Sequence, residues 1–327
     1  LASGATNNVA IGFTCLDSAT TAANENTAVG NYAMDGSWSS ADVNSCVALG
    51  YQAMRGVLTA DASGTVSVGA YSLLANTSGQ RNVAVGFGAL NENTIGDSNI
   101  AIGYEAAFDT LGGLQNDNNI AIGSANPDGT KGAMGGTWLT AASSNNIAIG
   151  TGTMAGAMNN CNNNVAIGHS ALGALTTGAG NTAVGYEALA QHTTGARNTA
   201  IGYGAMNQTA GDANDAPASA DNVFIGYDAG GGDWEDDEDS NFNVGIGNYV
   251  MYAAVDGAMS NTAVGYAAAA EITSGDENTC IGKTAGDVIT SGTQNTIIGS
   301  GSDPSANSGA NQTVIGYGTT GVGDNSV

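Results

Sequence analysis

The sequence predicts an all-β chain wound as a parallel β-roll or solenoid of about seventeen coils. Three observations carry this expectation. An A-[VI]-G triplet recurs along the chain, its glycine falling at positions 12, 30, 50, 69, 86, 103, 123, 150, 168, 185, 202, 226, 247, 265, 282, 299 and 316. Most of these marks lie 17 or 18 residues apart, a unit too small to cover its own apolar face, so each must be covered by its neighbours. Asparagine stands four places before the glycine in fourteen of the seventeen units, the exceptions being Cys46, Thr65 and Gln312.

Each part of the unit has its own physical reading. The residue before the glycine is Ile or Val in every unit but one, where it is Leu49. Such β-branched side chains favour strand and oppose helix. Alanine usually precedes them and Val, Ile or Thr precedes the alanine, so large and small residues alternate as on the two faces of a short strand. The asparagine marks a corner, where its amide bonds either to the local backbone or to its own copy one coil on. After the glycine comes an aromatic in nine units: Phe13, Tyr51, Phe87, Tyr104, Tyr186, Tyr203, Tyr227, Tyr266 and Tyr317. The segment beyond it is extended or turn structure, because the closing TTG or TSG leaves no room for a helix.

Stacked at about 4.8 Å per coil, sixteen steps make a rod of roughly 77 Å. The many Ala and Gly positions allow only a narrow core, while Ile, Val, Leu, Met and Tyr occupy more than one side of each turn. One apolar side would then lie bare on an isolated rod. This predicts a parallel homo-oligomer.

Charge excludes several classes of function. Twenty-nine acidic residues against five basic ones give a formal charge of -24, which opposes nucleic acid and anionic membrane surfaces alike. No apolar run approaches the roughly 20 residues that span a bilayer. The chain opens without methionine and reaches NNVAIG at residues 7–12, as a processed product or fragment would. Cys15, Cys46, Cys161 and Cys280 lack metal-ligand spacing and are too few for a disulfide scaffold. Cys15 and Cys280 read as small buried side chains.

We expect one continuous repeat domain over 1–327, interrupted by inserted loops at 31–45, 124–145, 207–221 and 231–242. Trp38, Trp138 and Trp234 all fall inside these loops. They are candidate binding residues, each a platform for a sugar or protein receptor, or else pins that hold the loop to the rod. The run DWEDDED at 233–239 offers oxygen ligands for weak calcium binding, though it lacks the spacing of a calcium loop. No cofactor is otherwise implied. His169 and His192 occupy different coil positions, and no nucleophile, zinc or phosphate motif occurs, so an enzyme is not expected. A polysaccharide-depolymerising spike, with acidic residues drawn from neighbouring coils, is the enzymatic alternative. Asn76, Asn207 and Asn311 head glycosylation sequons.

The units NNVAIG at 7–12 and 163–168, NNIAIG at 118–123 and 145–150, and NTAVG at 26–30, 181–185 and 261–265 resemble the head repeats of trimeric autotransporter adhesins. They are similar also to the related repeat regions of tailed-bacteriophage fibres. The resemblance covers nearly the whole chain, although the period is longer than in autotransporter heads. It implies a left-handed β-roll, a homotrimer, and an extracellular or virion-associated attachment fibre whose loops meet a cell-surface glycan or protein receptor. A purely structural shaft is the alternative. Residues 321–327, GVGDNSV, resemble the lead-in to a C-terminal trimerisation or self-cleaving chaperone module.

Overall fold

A computed structural model describes residues 5–17, 23–38, 43–58, 62–107, 113–138, 140–209, 219–234, 239–253 and 255–327. Among them the regular elements are seventeen strands of three residues, with no helix. Two compact units divide the chain, residues 1–164 and 165–327. The first carries β1 (Val9–Ile11) to β8 (Ile147–Ile149), the second β9 (Val165–Ile167) to β17 (Thr313–Ile315). Within each unit successive strands pair in parallel and in register. Val9 faces Thr27 and Ala10 faces Ala28 in the first; Thr182 faces Thr199 and Ala183 faces Ala200 in the second. The parallel β-solenoid read from the repeat is the observed fold.

The period-two pattern of the strand decides which side chains enter the coil. The middle residue points inward and is buried in all but the first strand, while its two neighbours point outward. Alanine dominates this inner column because the coil is thin. At Phe224, the middle of β12 (Val223–Ile225), the column instead carries an aromatic ring, and Gly245 in the next coil makes room for it. A Cβ on Gly245 would lie 2.6 Å from the Phe224 ring.

The glycine that ends each strand meets two demands, both visible at Gly50. Its φ is +141°, where a side chain is strained. A Cβ there would also stand 2.6 Å from the carbonyl carbon of Gly69 in the coil above.

After this glycine the chain turns, as expected. Residues two and four places on are left-handed: Gln52 (φ 56°) and Met54 (φ 52°) in one coil, Glu187 (54°) and Leu189 (51°) in another. Alternating hand prevents the run of right-handed residues that a helix requires. Each such residue costs about 1–2 kcal/mol, which burial of a Met or Leu side chain, about 1.5–3 kcal/mol, offsets. Met54 and Leu189 are both wholly buried.

The asparagines bond to their copies rather than only locally. In the first unit the backbone N–H of Asn99 donates to Asn82 Oδ1 (2.8 Å), Asn119 to Asn99 (2.9 Å) and Asn146 to Asn119 (3.0 Å). In the second, Asn243 donates to Asn222 (2.9 Å), and the same bond recurs through Asn261, Asn278 and Asn295 to Gln312. Each amide nitrogen donates in turn to a carbonyl of the next coil, Asn82 Nδ2 to Gly96 O at 2.8 Å for example. The ladder is buried, so every rung matters: a net bond contributes about 1 kcal/mol, and an orphaned partner costs about 1–3 kcal/mol. It lapses at Cys46 and Thr65. Cys46 N–H still reaches Asn26 Oδ1 (2.9 Å), but Thr65 Oγ1 is buried with no partner among the described residues.

Candidate functional site

The three candidate tryptophans are core residues. Trp38, Trp138 and Trp234 are 3%, 1% and 2% exposed, so the expected loop platforms present no ring face to a receptor. Their place in the coil explains the burial. DGSW at 35–38, GGTW at 135–138 and GGDW at 231–234 occupy the same bend as RGVL at 55–58 and AGAM at 155–158, whose Leu58 and Met158 are likewise buried. This G-x-large bend occurs in coils longer than seventeen residues, and its bulky side chain fills the coil interior. Trp138 Nε1 donates to Met134 O at 3.4 Å, and Trp234 packs edge-on against Phe224 at 5.8 Å. The G-x-[WLM] pattern was the available signal.

The inserted loops are described in part. Residues 39–42, 139, 210–218 and 235–238 lie outside the described residues, and with them the centre of the proposed calcium run. Asp233 and Asp239 at its ends are exposed. Among the described residues no group of three His, Cys, Asp or Glu side chains could hold a metal. The insertion at 124–145 contains a turn from Asn126 to Thr130, closed by Asn126 N–H to Thr130 O (2.8 Å) and Gly129 N–H to Asn126 O (3.1 Å). Proline followed by Asp-Gly is the composition such a turn needs.

Other sequence candidates are buried or inert. His192 lies wholly inside the second unit, with Nδ1 at 3.0 Å from Thr209 Oγ1 and Nε2 at 3.3 Å from Asn198 Nδ2. Burial lowers its pKa to about 4, so it is neutral at pH 7. The thiols of Cys161 and Cys280 are pushed up to about 11 and about 12 by burial, which removes thiolate reactivity. Cys15 is only partly buried and its thiol donates to Ala28 O. Asn76 is buried, its amide donating to Gly79 O at 3.0 Å, and so is no glycosylation acceptor in the folded chain.

What each unit does expose is an ordered apolar surface. Its first column is the Ile, Val or, once, Leu that ends each strand: Ile102, Ile201, Ile246 and Ile281 are 37–41% exposed, while Val29, Val68 and Val85 are half-buried. Beside it runs a column of rings. In the first unit Phe13, Tyr32, Tyr51, Tyr71, Phe87 and Tyr104 follow one another with centroids 5.2–5.9 Å apart. In the second, His169, Tyr186, Tyr203, Tyr227, Tyr249 and Tyr266 do so at 4.8–5.9 Å.

The sequence pattern showed this second column with gaps, because Asn31, Ala70 and Asn248 hold the aromatic position. The next residue fills each gap. Asn31 Oδ1 accepts from Phe13 N–H (3.0 Å) and Asn248 Oδ1 from Tyr227 N–H (3.1 Å), while the left-handed Tyr32 and Tyr249 swing their rings into line. His169, stacked on Tyr186 at 5.3 Å, is a rung of the same kind.

No family model matches the chain, and no curated protein does.

Charge is sparse along these columns. Arg55 lies 5.2 Å over the Tyr32 ring and Lys283 6.0 Å over Tyr266. Beside Tyr104 and Tyr186, the carboxylates of Glu105 and Glu187 accept from the phenols and hold their pKa values above the ordinary range. Among the described residues no helix is long and apolar enough to cross a membrane.

Proposed function

We propose that this chain is the shaft of an extracellular or virion-associated attachment fibre, assembled from parallel copies of itself, three in number if its repeats behave as those they resemble. The observation that carries this reading is the pairing of a partly exposed aliphatic column with a partly exposed aromatic column along each unit. A bare stripe of this kind marks an association surface, and aromatic residues with few charges are the composition of an interface core. Identical columns on identical parallel chains meet rung to rung, each residue against its own copy, which suits a closed assembly.

Burial of the three tryptophans favours the shaft over a rod that carries aromatic receptor-binding loops. Contact with a cell-surface glycan or protein then falls to other surface features or to other parts of the fibre. Light scattering at micromolar concentration tests the reading: a mass at a multiple of 32.0 kDa is expected, and a monomer contradicts it.

A further inference from the structure

We infer that Tyr104 and the turn inserted beside it form a binding site for a neutral pyranose ring. The ring column of the first unit stops at Tyr104, because the corresponding residue of the next coil is Ser124. Rings from Phe13 to Phe87 meet edge to face, but Phe87 and Tyr104 lie nearly parallel, 10° between planes with centroids 5.2 Å apart. Tyr104 therefore turns its free face toward the next rung position.

Where another ring would follow there is an open pocket of about 460 Å³, lined by Tyr104, Glu105, Ala125, Asn126 and Pro127. That is within the range of small-molecule sites. Ala125 N–H donates to Tyr104 O (2.9 Å) and Ser124 Oγ accepts from Tyr104 N–H (3.2 Å), which fixes the wall relative to the floor. The turn from Asn126 to Thr130 is closed by backbone bonds, leaving the exposed Asn126 amide available.

The lining selects the ligand. A flat aromatic floor accepts the C–H face of a sugar, as it would any flat ring. An apolar aromatic occupant, however, would offer no hydrogen bond to the Asn126 amide or to the Glu105 oxygen that the Tyr104 phenol leaves free, at a desolvation cost. Sugar hydroxyls donate to Glu105 and both donate to and accept from Asn126. A net charge of -24 disfavours acidic sugars. The site rests on the shaft reading in one respect: the exposed turn, residues 126–129, whose Asn126 and Pro127 line the pocket with Tyr104, is taken to hold a neighbouring copy off the ring. The site thus gives the shaft a point of glycan contact of its own.

Saturation-transfer NMR on the full chain, with methyl β-glucopyranoside and methyl β-galactopyranoside at millimolar concentration, tests the site. Transfer is expected to at least one of them, to persist in Tyr104→Phe and Tyr186→Ala, and to weaken roughly tenfold in Tyr104→Ala, the scale of one aromatic contact. Absence of transfer to both glycosides, or undiminished transfer to Tyr104→Ala, overturns the inference. A thermal melt of each variant separates lost binding from lost fold. Light scattering on the same samples keeps the shaft reading distinct, since the oligomer persists if only the glycan site is wrong.

Discussion

His192 sits where Leu175 sits one coil earlier, and the two show how one inner position serves either an apolar or a hydrogen-bonded side chain. Its folded pKa is about 4, below the unfolded value of about 6.5. Between those values the unfolded chain binds the extra proton, so stability is complete above about pH 6.5 and declines as pH falls toward 4. The linkage is worth up to a few kcal/mol. His192→Leu should flatten the decline between pH 7 and pH 4.5 in urea titrations, since Thr209 Oγ1 keeps its bond to Met206 O and Asn198 Nδ2 its bond to Ser219 O. A variant as acid-sensitive as the wild type would assign the loss to other groups. Thr65 makes the opposite case, a residue that breaks a pattern without compensation. Thr65→Asn supplies an acceptor for Asn82 N–H and should raise stability by about 1 kcal/mol, read as a higher urea midpoint at unchanged slope. A lower midpoint would mean that the pocket around Thr65 is too small for an amide.

At the scale of the coil, strands, glycine corners and the asparagine column were legible because each rests on a short, repeated constraint. The β-branched residues at 11, 29, 68 and their equivalents report an outward strand position in every copy but that of Leu49, so the pattern averages out local exceptions. Tryptophan stayed open between platform and pin for the converse reason. Trp38, Trp138 and Trp234 occur once each in coils of unequal length, and alignment on the glycine alone sets them in loops. Alignment on the bend places them with Leu58 and Met158. Likewise Tyr32, Tyr71 and Tyr249 stand one residue off the aromatic position, and only their left-handed backbone returns the rings to the column. The core assignment predicts that Trp138→Ala costs about 3–5 kcal/mol, measured by thermal or urea unfolding. A stable variant would return Trp138 to the list of surface candidates.

Over the whole molecule two forces oppose each other in assembly. A charge of -24 repels copies, while the aliphatic and aromatic columns attract them once apolar area leaves water. Repulsion between exposed charges is screened within about 8–10 Å at physiological salt, so association should strengthen as salt rises from 10 to 150 mM, as read by the sedimenting mass. Adding charge to the column itself is the sharper perturbation. Ile246 is outward, 40% exposed and at the end of its strand, so Ile246→Asp leaves the coil intact and places a carboxylate in every copy of the contact. The decisive measurement is sedimentation equilibrium of wild type and Ile246→Asp at one protein concentration and 150 mM salt. The wild type should sediment as a multiple of 32.0 kDa and the variant as a folded 32.0 kDa monomer; a monomeric wild type, or a variant that assembles unchanged, would contradict the assignment of these columns as the surface through which the chains join.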